Sequence, residues 1–454
     1  MNDSAQKQYD KMTKTPVPKL IIKLAIPTIL SMLVTTVYNL VDTAFVGKLG
    51  NSQSGAVGVV FGFMSILQAV GFMFGQGSGS LLSRKLGERD NETASKIAST
   101  GFFSSFSLGA IVGIICLIFI EPLVFFLGST ETIAPYAMAY MKCLLIVAPF
   151  TVSSFSLNNM LRYEGKAKLG MIGLMTGGIL NIAGDAFFMF GLNMGIFGAG
   201  LSTAISQCVS FSILLFMFLR GKTQSKLSIR KVTYKGKLFP DIVATGFPSM
   251  LRQGLSSAAT IVLNYEAAKY AHDEGVAAMS IVNRVAFGVF AIALGIGQGF
   301  QPVCAFNYGA RKYKRLRDAY KFTMILTEVV LVVLTAFMLL FSQDVVAVFR
   351  DDPTVIEIGQ RAIIILGIAQ LFLPICMITE MLMQSSGQKL SAVILSSLRG
   401  GLFYIPALLI LSYFRGMYGV EEAQPLAYVL SVFPALILRK KFFERIPEED
   451  IEDR

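Results

Sequence analysis

Long apolar runs alternate with short polar interruptions along this chain, and the runs are of the length a bilayer demands, roughly 20 residues for a spanning helix. They fall at 19–44, 54–82, 97–120, 133–160, 168–190, 197–219, 240–268, 276–303, 320–342, 355–384, 391–413 and 419–438. Glu421 and Glu422 interrupt the last run near its start. The pattern predicts an all-α integral membrane protein with twelve transmembrane helices. Residues 1 to 18 lack the apolar centre of a signal peptide, so the first run is expected to be retained as a helix.

Composition removes the soluble alternative. Hydrophobic residues make up 54% of the 454 positions and charged residues only 15%, against about 25% in soluble domains. Mean hydropathy is +0.62. Too few charges remain to cover a water-facing surface, so lipid must cover much of it. The net charge of +11 would point to nucleic acid in a soluble protein. Here its distribution points to topology instead, because basic residues collect in the cytoplasmic loops of membrane proteins. Arg220, Lys222, Lys226, Arg230, Lys231, Lys235 and Lys237 form one acid-free loop segment. The N-terminus, the Arg84–Arg89 and Arg162–Lys168 turns, the Arg311–Lys321 segment and the Arg439–Arg445 tail fall on the same side. The alternate loops are poor in basic residues, which predicts cytoplasmic termini and an even helix count. Cys116, Cys143, Cys208, Cys304 and Cys376 sit singly inside apolar runs, with no CxxC pair. They read as core residues rather than a disulfide or metal framework.

The chain also repeats itself. Gly75-Gln76-Gly77 with Gly87 and Arg89 recurs as Gly297-Gln298-Gly299 with Gly309 and Arg311, and Gly165 recurs as Gly387. All are displaced by one offset, 298 − 76 = 222. Pro27 and Pro248 hold nearly the same relation. Two six-helix repeats in the same orientation follow, expected as 1–220 and 240–454 with 221–239 as a basic linker. Repeats of this parallel kind work by rocking one bundle against the other around a central site.

These features resemble the multidrug and toxic compound extrusion (MATE) family over nearly the whole chain. The residues that carry the likeness are Tyr38-Asn39-Leu40-Val41-Asp42-Thr43 in the first helix, the paired Gly-Gln-Gly elements, and Ala423-Gln424-Pro425 in the last. The resemblance implies two pseudo-symmetric six-helix bundles forming a V-shaped central cleft in the bacterial inner membrane. It implies export of small amphipathic or cationic compounds against an inward flow of H⁺ or Na⁺, with no other cofactor. One chain already holds both bundles, so a monomer is expected.

Charge at membrane depth is costly and marks function, which makes the acids in the spans the candidates. Asn181 and Asp185 are four residues apart and share a helix face. Asp185 is about 26 Å along the fifth span from its cytoplasmic end at roughly 1.5 Å per residue. Asp42 lies late in an outward-running helix and Thr203 early in an inward-running one, so all four belong to one outer layer. Hard oxygen ligands suit Na⁺. Two neighbouring carboxylates in low dielectric also repel, which turns one into a proton acceptor. The plainer alternatives are an interfacial helix-end residue for Asp42 and a structural hydrogen bond for Asn181 with Asp185. By resemblance, the branch with its cation site in the N-terminal bundle matches at Asp42, Asn181, Asp185 and Thr203. The same resemblance implies that Tyr38, Tyr140 and Asn158 line the nearby substrate chamber, with Tyr136 one turn from Tyr140. Another branch carries an acid for Na⁺ in the seventh helix, where this chain has Ser256.

The second half holds Arg252, Arg284, Arg399, Glu380, Glu421 and Glu422 within its spans. Mutual neutralisation is one reading. The other is a polar site for charged substrate groups, with Glu421 or Glu422 facing the cleft. A lipid-linked saccharide flippase of the same superfamily is the competing function, and those arginines are what would serve a phosphate-bearing cargo. A membrane enzyme is the third reading. His272 is the single histidine, and HExxH, GxSxG and a complete P-loop are all missing from the sequence. Without a nucleotide motif, an ion gradient is the expected energy source.

Overall fold

The computed structural model describes residues 3–350 and 352–451, and the described residues are almost entirely helical. Residues 1–2 and 452–454 of the expected bundles, and Asp351, lie outside them. A short helix, α1 (Asp3–Lys14), buries Tyr9 and Met12 and comes before the first span. Then follow α2 (Val17–Gly47), α3 (Asn51–Gly87), α4 (Asn91–Ile118), α5 (Ile120–Phe126), α6 (Ala134–Ile146), α7 (Ala148–Tyr163), α8 (Ala167–Asp185) and α9 (Gly195–Leu219). The second half comprises α10 (Leu238–Gly309), α11 (Tyr313–Leu340), α12 (Ser342–Ala347), α13 (Pro353–Gln370), α14 (Leu373–Ser385), α15 (Lys389–Ser397), α16 (Tyr404–Arg415) and α17 (Met417–Arg445).

Twelve spans emerge from these pieces. Among the described residues, eight helices are long and apolar enough to cross a bilayer when α10 is counted once. At 72 residues α10 would extend about 108 Å, far beyond a hydrocarbon core of about 30 Å. It breaks into two limbs at Ala271 and His272, whose backbone angles are not helical. The pairs α6–α7 and α13–α14 each make one span, bent by 55° and 50°. A proline opens the second piece of each pair, where its missing N–H and its ring interrupt a continuous helix. The last span is α17, which carries Glu421 and Glu422 near its start. The expected loop around His272 is therefore a break at the junction of two limbs.

The repeat is written into the backbone. Gly165 and Gly387, at equivalent positions, take φ of 74° and 79°, and Arg89 and Arg311 take 62° and 56°. Positive φ is uncommon for a residue with a side chain, so finding it at both copies of one arginine marks a shared turn.

The chain divides into two compact units with an exchange near the start of each half. Unit 1 is Met1–Met12 with Ile26–Met250, and unit 2 is Thr13–Ala25 with Leu251–Arg454. The basic segment 221–239 thus belongs to unit 1 together with the start of α10, while the start of α2 belongs to unit 2. The paired glycines explain how. In unit 1, a Cβ at Gly77 would run into the carbonyl oxygen of Ile242, so α3 and the start of α10 touch backbone to backbone. In unit 2, a Cβ at Gly299 would stand 2.7 Å from the amide nitrogen of Ala25. The first glycine of each motif packs inside its own unit, Gly75 on Asn159 and Gly297 on Met381.

Candidate functional site

In unit 1 the expected oxygen layer is assembled. Asp42 on α2 is 8% exposed, and Asn181 and Asp185 on α8 are 3% and 0%. The Asn181 amide nitrogen donates to Thr203 Oγ1 at 3.1 Å and, at 3.4 Å, to Asp185 Oδ1. Ser202, whose hydroxyl also lies beside the Asp185 carboxyl, donates to the Asn181 carbonyl at 2.9 Å. That approach needs Gly184, where a Cβ would collide with the Ser202 side chain. Tyr140 on α6 is buried and donates its hydroxyl to Asp42 Oδ2 at 3.5 Å, with Thr203 also beside it. Asp42 and Asp185 lie close enough to act on each other electrostatically.

What these carboxylates lack is informative. Asp42 Oδ1 and Asp185 Oδ2 are buried without a hydrogen-bond partner among the described residues. Among the described residues the groups acting on the two acids are Tyr140, Asn181, Ser202 and each other, with no lysine or arginine among them. A cavity of about 20 Å³ adjoins the layer, lined in part by Tyr38, Asn181, Thr203 and Gln207, which is room for about one water or a small ion. Tyr38 packs its ring against Gly178, one turn before Asn181. Asn158 sits elsewhere, with its amide against Gly170 near the other end of α8. Tyr136 is 39% exposed and is not part of the layer.

Unit 2 treats its charges differently. Arg361 on α13 grips the fully buried carboxylate of Glu421 with two hydrogen bonds of 2.6 Å and stacks over the Tyr418 ring at 4.1 Å. Glu422 pairs with Arg415 at 2.6 Å. Arg252 pairs with buried Glu380. Glu266 accepts from Ser412 at 2.8 Å and has Lys269 at 3.7 Å. Arg399 lies over the rings of Phe290 and Tyr428. Glu421 and Glu422, expected as cargo ligands, are thus engaged with arginines. Arg361 had not been singled out, since its partner is 60 residues away and nothing in the sequence links them. Half-buried Glu328 on α11 is another intramembrane acid that sequence reasoning passed over.

Helical repeats of this kind, with bent fourth spans and a pair of buried carboxylates in one unit, define a polytopic membrane protein of the two-bundle transporter class. The MatE family model matches residues 27–187 and again 248–410, one match in each half of the repeat. The chain belongs to the MatE family. It is 26% identical over 426 residues to the multidrug export protein MepA of Staphylococcus aureus, covering 94% of both chains. It is 25% identical over 447 residues to MepA of Staphylococcus saprophyticus, covering 97% of both. A solved structure described as the outward-facing conformation of a multidrug resistance MATE family transporter superposes with a TM-score of 0.91 at 25% identity, covering 96% of this chain and 98% of that one. The twelve-helix, two-bundle fold expected from the sequence is the fold of these transporters, and the protein is a multi-pass membrane protein.

Proposed function

We propose that this protein exports organic cations and other small amphipathic drugs, driven by an inward gradient of H⁺ or Na⁺ acting at Asp42, Asn181, Asp185 and Thr203. The observation that carries this reading is the pair of buried carboxylates with no lysine or arginine beside them among the described residues. A buried ionised carboxylate is tolerated when it is paired and hydrogen-bonded. Two together, each with an unpartnered oxygen, are completed by a cation that comes and goes. A proton would neutralise one carboxyl and let it donate to the other. Sodium would use the same set as oxygen ligands. Either way the coupling ion is cargo, and its presence ties α2 to α8 through Asp42 and Asp185. Its departure leaves two like charges in one layer, which biases the helices toward a second arrangement. The multidrug export named for the relatives supports the drug cargo, and alternating access between the units is the mode we assign. Tyr38 and Tyr140, beside the layer, are the cargo contacts we retain. Both termini are assigned to the cytoplasm from the loop charges, and the working unit to a single chain.

The test is ethidium transport in proteoliposomes under an imposed pH or Na⁺ gradient, with wild type beside Asp185→Asn. Gradient-driven uptake that vanishes in the variant supports coupling at this layer. Uptake that survives the substitution moves coupling elsewhere, and no uptake by folded wild type under either gradient removes the reading.

A further inference from the structure

A second cavity of unit 1, separate from the oxygen layer, is a groove of about 1150 Å³ along α9. Its floor is one face of that helix, where Phe197, Leu201, Ile205, Cys208, Ser212 and Phe216 recur at helical spacing. Lys142 and Ile146 on α6 wall it at one end, and Ile172 on α8 walls it at the other. Ile146 is the last residue of α6, where the fourth span bends, and it is 63% exposed. Phe197 and Phe216 lie about 28 Å apart along α9, which is nearly the hydrocarbon thickness of about 30 Å. Ser212 adds no free polar group, because its hydroxyl donates to the Cys208 carbonyl at 2.7 Å. A long apolar slot of this shape suits a hydrocarbon chain better than a compact molecule with groups to hydrogen-bond.

Lys142 supplies the charge. Among the described residues no other charged side chain lines the groove, and Lys142 makes no hydrogen bond, ion pair or ring contact. It follows Tyr140 by two residues, which is about 200° around α6. Tyr140 therefore faces Asp42 while Lys142 is exposed on the opposite side. A lysine so near the layer in sequence thus leaves both carboxylates without a basic partner. Its depth follows from packing. A Cβ at Gly200 would stand 3.1 Å from the Tyr140 carbonyl oxygen and 3.3 Å from the Cys143 Cβ. Lys142 is then level with Gly200, about 7.5 Å from the start of α9 at Gly195. From that depth a lysine stem lies along apolar surface and its ammonium reaches the headgroups.

We propose that this groove is a binding site for an anionic phospholipid, with Lys142 holding the phosphate and an acyl chain lying along α9 over Leu201 and Ile205. Charge selects the occupant. Lys142 repels an organic cation, and a zwitterionic lipid brings a phosphate already balanced by its own amine. An anionic lipid supplies the counter-ion that Lys142 lacks, and basic pockets between spanning helices bind such headgroups. The site is independent of the drug-export reading. It places a lipid against the outer side of α6, the helix that carries Tyr140 to Asp42.

The chain contains no tryptophan, so a single introduced one reports on its own surroundings. Ile205→Trp places it in the groove, at a position 43% exposed, and Val333→Trp places it on α11 of unit 2, at a position 63% exposed. Each full-length protein is reconstituted in phosphatidylcholine vesicles, and quenching by chain-brominated phosphatidylglycerol is compared with quenching by brominated phosphatidylcholine. At Ile205→Trp we expect phosphatidylglycerol to be preferred about fivefold, the effect of about 1 kcal/mol for one lysine beside anionic lipid. At Val333→Trp the two lipids should quench alike. Adding Lys142→Gln should abolish the preference at Ile205→Trp, and Lys142→Arg should keep it. Unchanged quenching by brominated phosphatidylcholine reports that the variants are folded. Equal quenching by the two lipids at Ile205→Trp, or a preference that survives Lys142→Gln, overturns the site. So does an equal preference at Val333→Trp. Quenching by neither lipid in the groove would give it to a second copy of the chain, and relief of quenching by ethidium would give it to cargo. Either result overturns the proposal.

Discussion

The two units solve the same electrostatic problem in opposite ways. In unit 2 every fully buried carboxylate within the spans has a basic partner: Glu380 has Arg252, Glu421 has Arg361, and Glu266 has Lys269. In unit 1 Asp42 and Asp185 have a tyrosine, an asparagine, a serine and each other, and no basic partner among the described residues. The repeat therefore preserves backbone turns and bent spans while its charges diverge. A saturated carboxylate is structural, because nothing needs to arrive to complete it. An unsaturated pair is where a mobile cation can do work. The lesson is that counting acids in a membrane protein says little until their partners are known.

Opposite responses to substitution are the sharpest way to break this comparison. Asp42→Asn should bring gradient-driven ethidium uptake to background, with the thermal midpoint of the purified protein unchanged or raised, because an unpaired buried charge has been removed. A large fall in midpoint together with lost transport would make Asp42 structural. Arg361→Ala should do the reverse and destabilise unit 2 by about 3–5 kcal/mol, the usual consequence of stranding one buried charge. Replacing both partners, Arg361→Met with Glu421→Leu, should recover most of that loss. A double variant as unstable as the single one would show that the pair is not self-contained.

A smaller effect is expected at the glycines that seat each exchanged segment. Gly77→Ala places a methyl against the Ile242 carbonyl and forces the start of α10 away from α3. Overpacking of this kind typically costs about 1–3 kcal/mol. Gly299→Ala, whose nearest obstacle is the Ala25 backbone at 2.7 Å, should fall in the same range. Thermal unfolding of both variants checks the correspondence, and a tolerated Gly77→Ala would mean that the close approach is not required.

Much of this was readable in the chain. The spans follow from apolar run length, and the repeat follows from glycines that the backbone later explains, since Gly165 and Gly387 both need positive φ. The oxygen layer was legible because depth along a helix is simple arithmetic, which brought Asp42, Asn181, Asp185 and Thr203 to one level. Partners across helices were not. Arg361 meets Glu421 through a tertiary contact with no trace in local pattern. The exchange of residues 13–25 into unit 2 was equally hidden, since both sides of Pro27 read as one continuous helix.

A third buried carboxylate of unit 1 shows how far backbone donors can replace a cation. Glu164, in the turn after α7 and outside the spans, is 1% exposed. It accepts from the amides of Gln224 and Ser225 at 2.8 and 3.1 Å and from the Ser225 hydroxyl, which anchors the basic linker to unit 1. Burial pushes its carboxyl above the ordinary range, and Lys166 and the linker donors only partly offset this. A folded-state value above the unfolded one means that docking carries a proton. The stabilisation is then fully present below the ordinary glutamate value of about 4.3 and is lost as pH rises through the raised value. Hydrogen exchange at Gln224 and Ser225, corrected for intrinsic rates, should accordingly show protection that declines severalfold from mildly acidic to neutral pH. Glu164→Gln keeps one acceptor and cannot ionise, so its protection should be flat across that range. Protection that rises with pH in the wild type would show that the linker amides favour the ionised carboxylate after all, and backbone donors would then be fully equivalent to the arginines of unit 2.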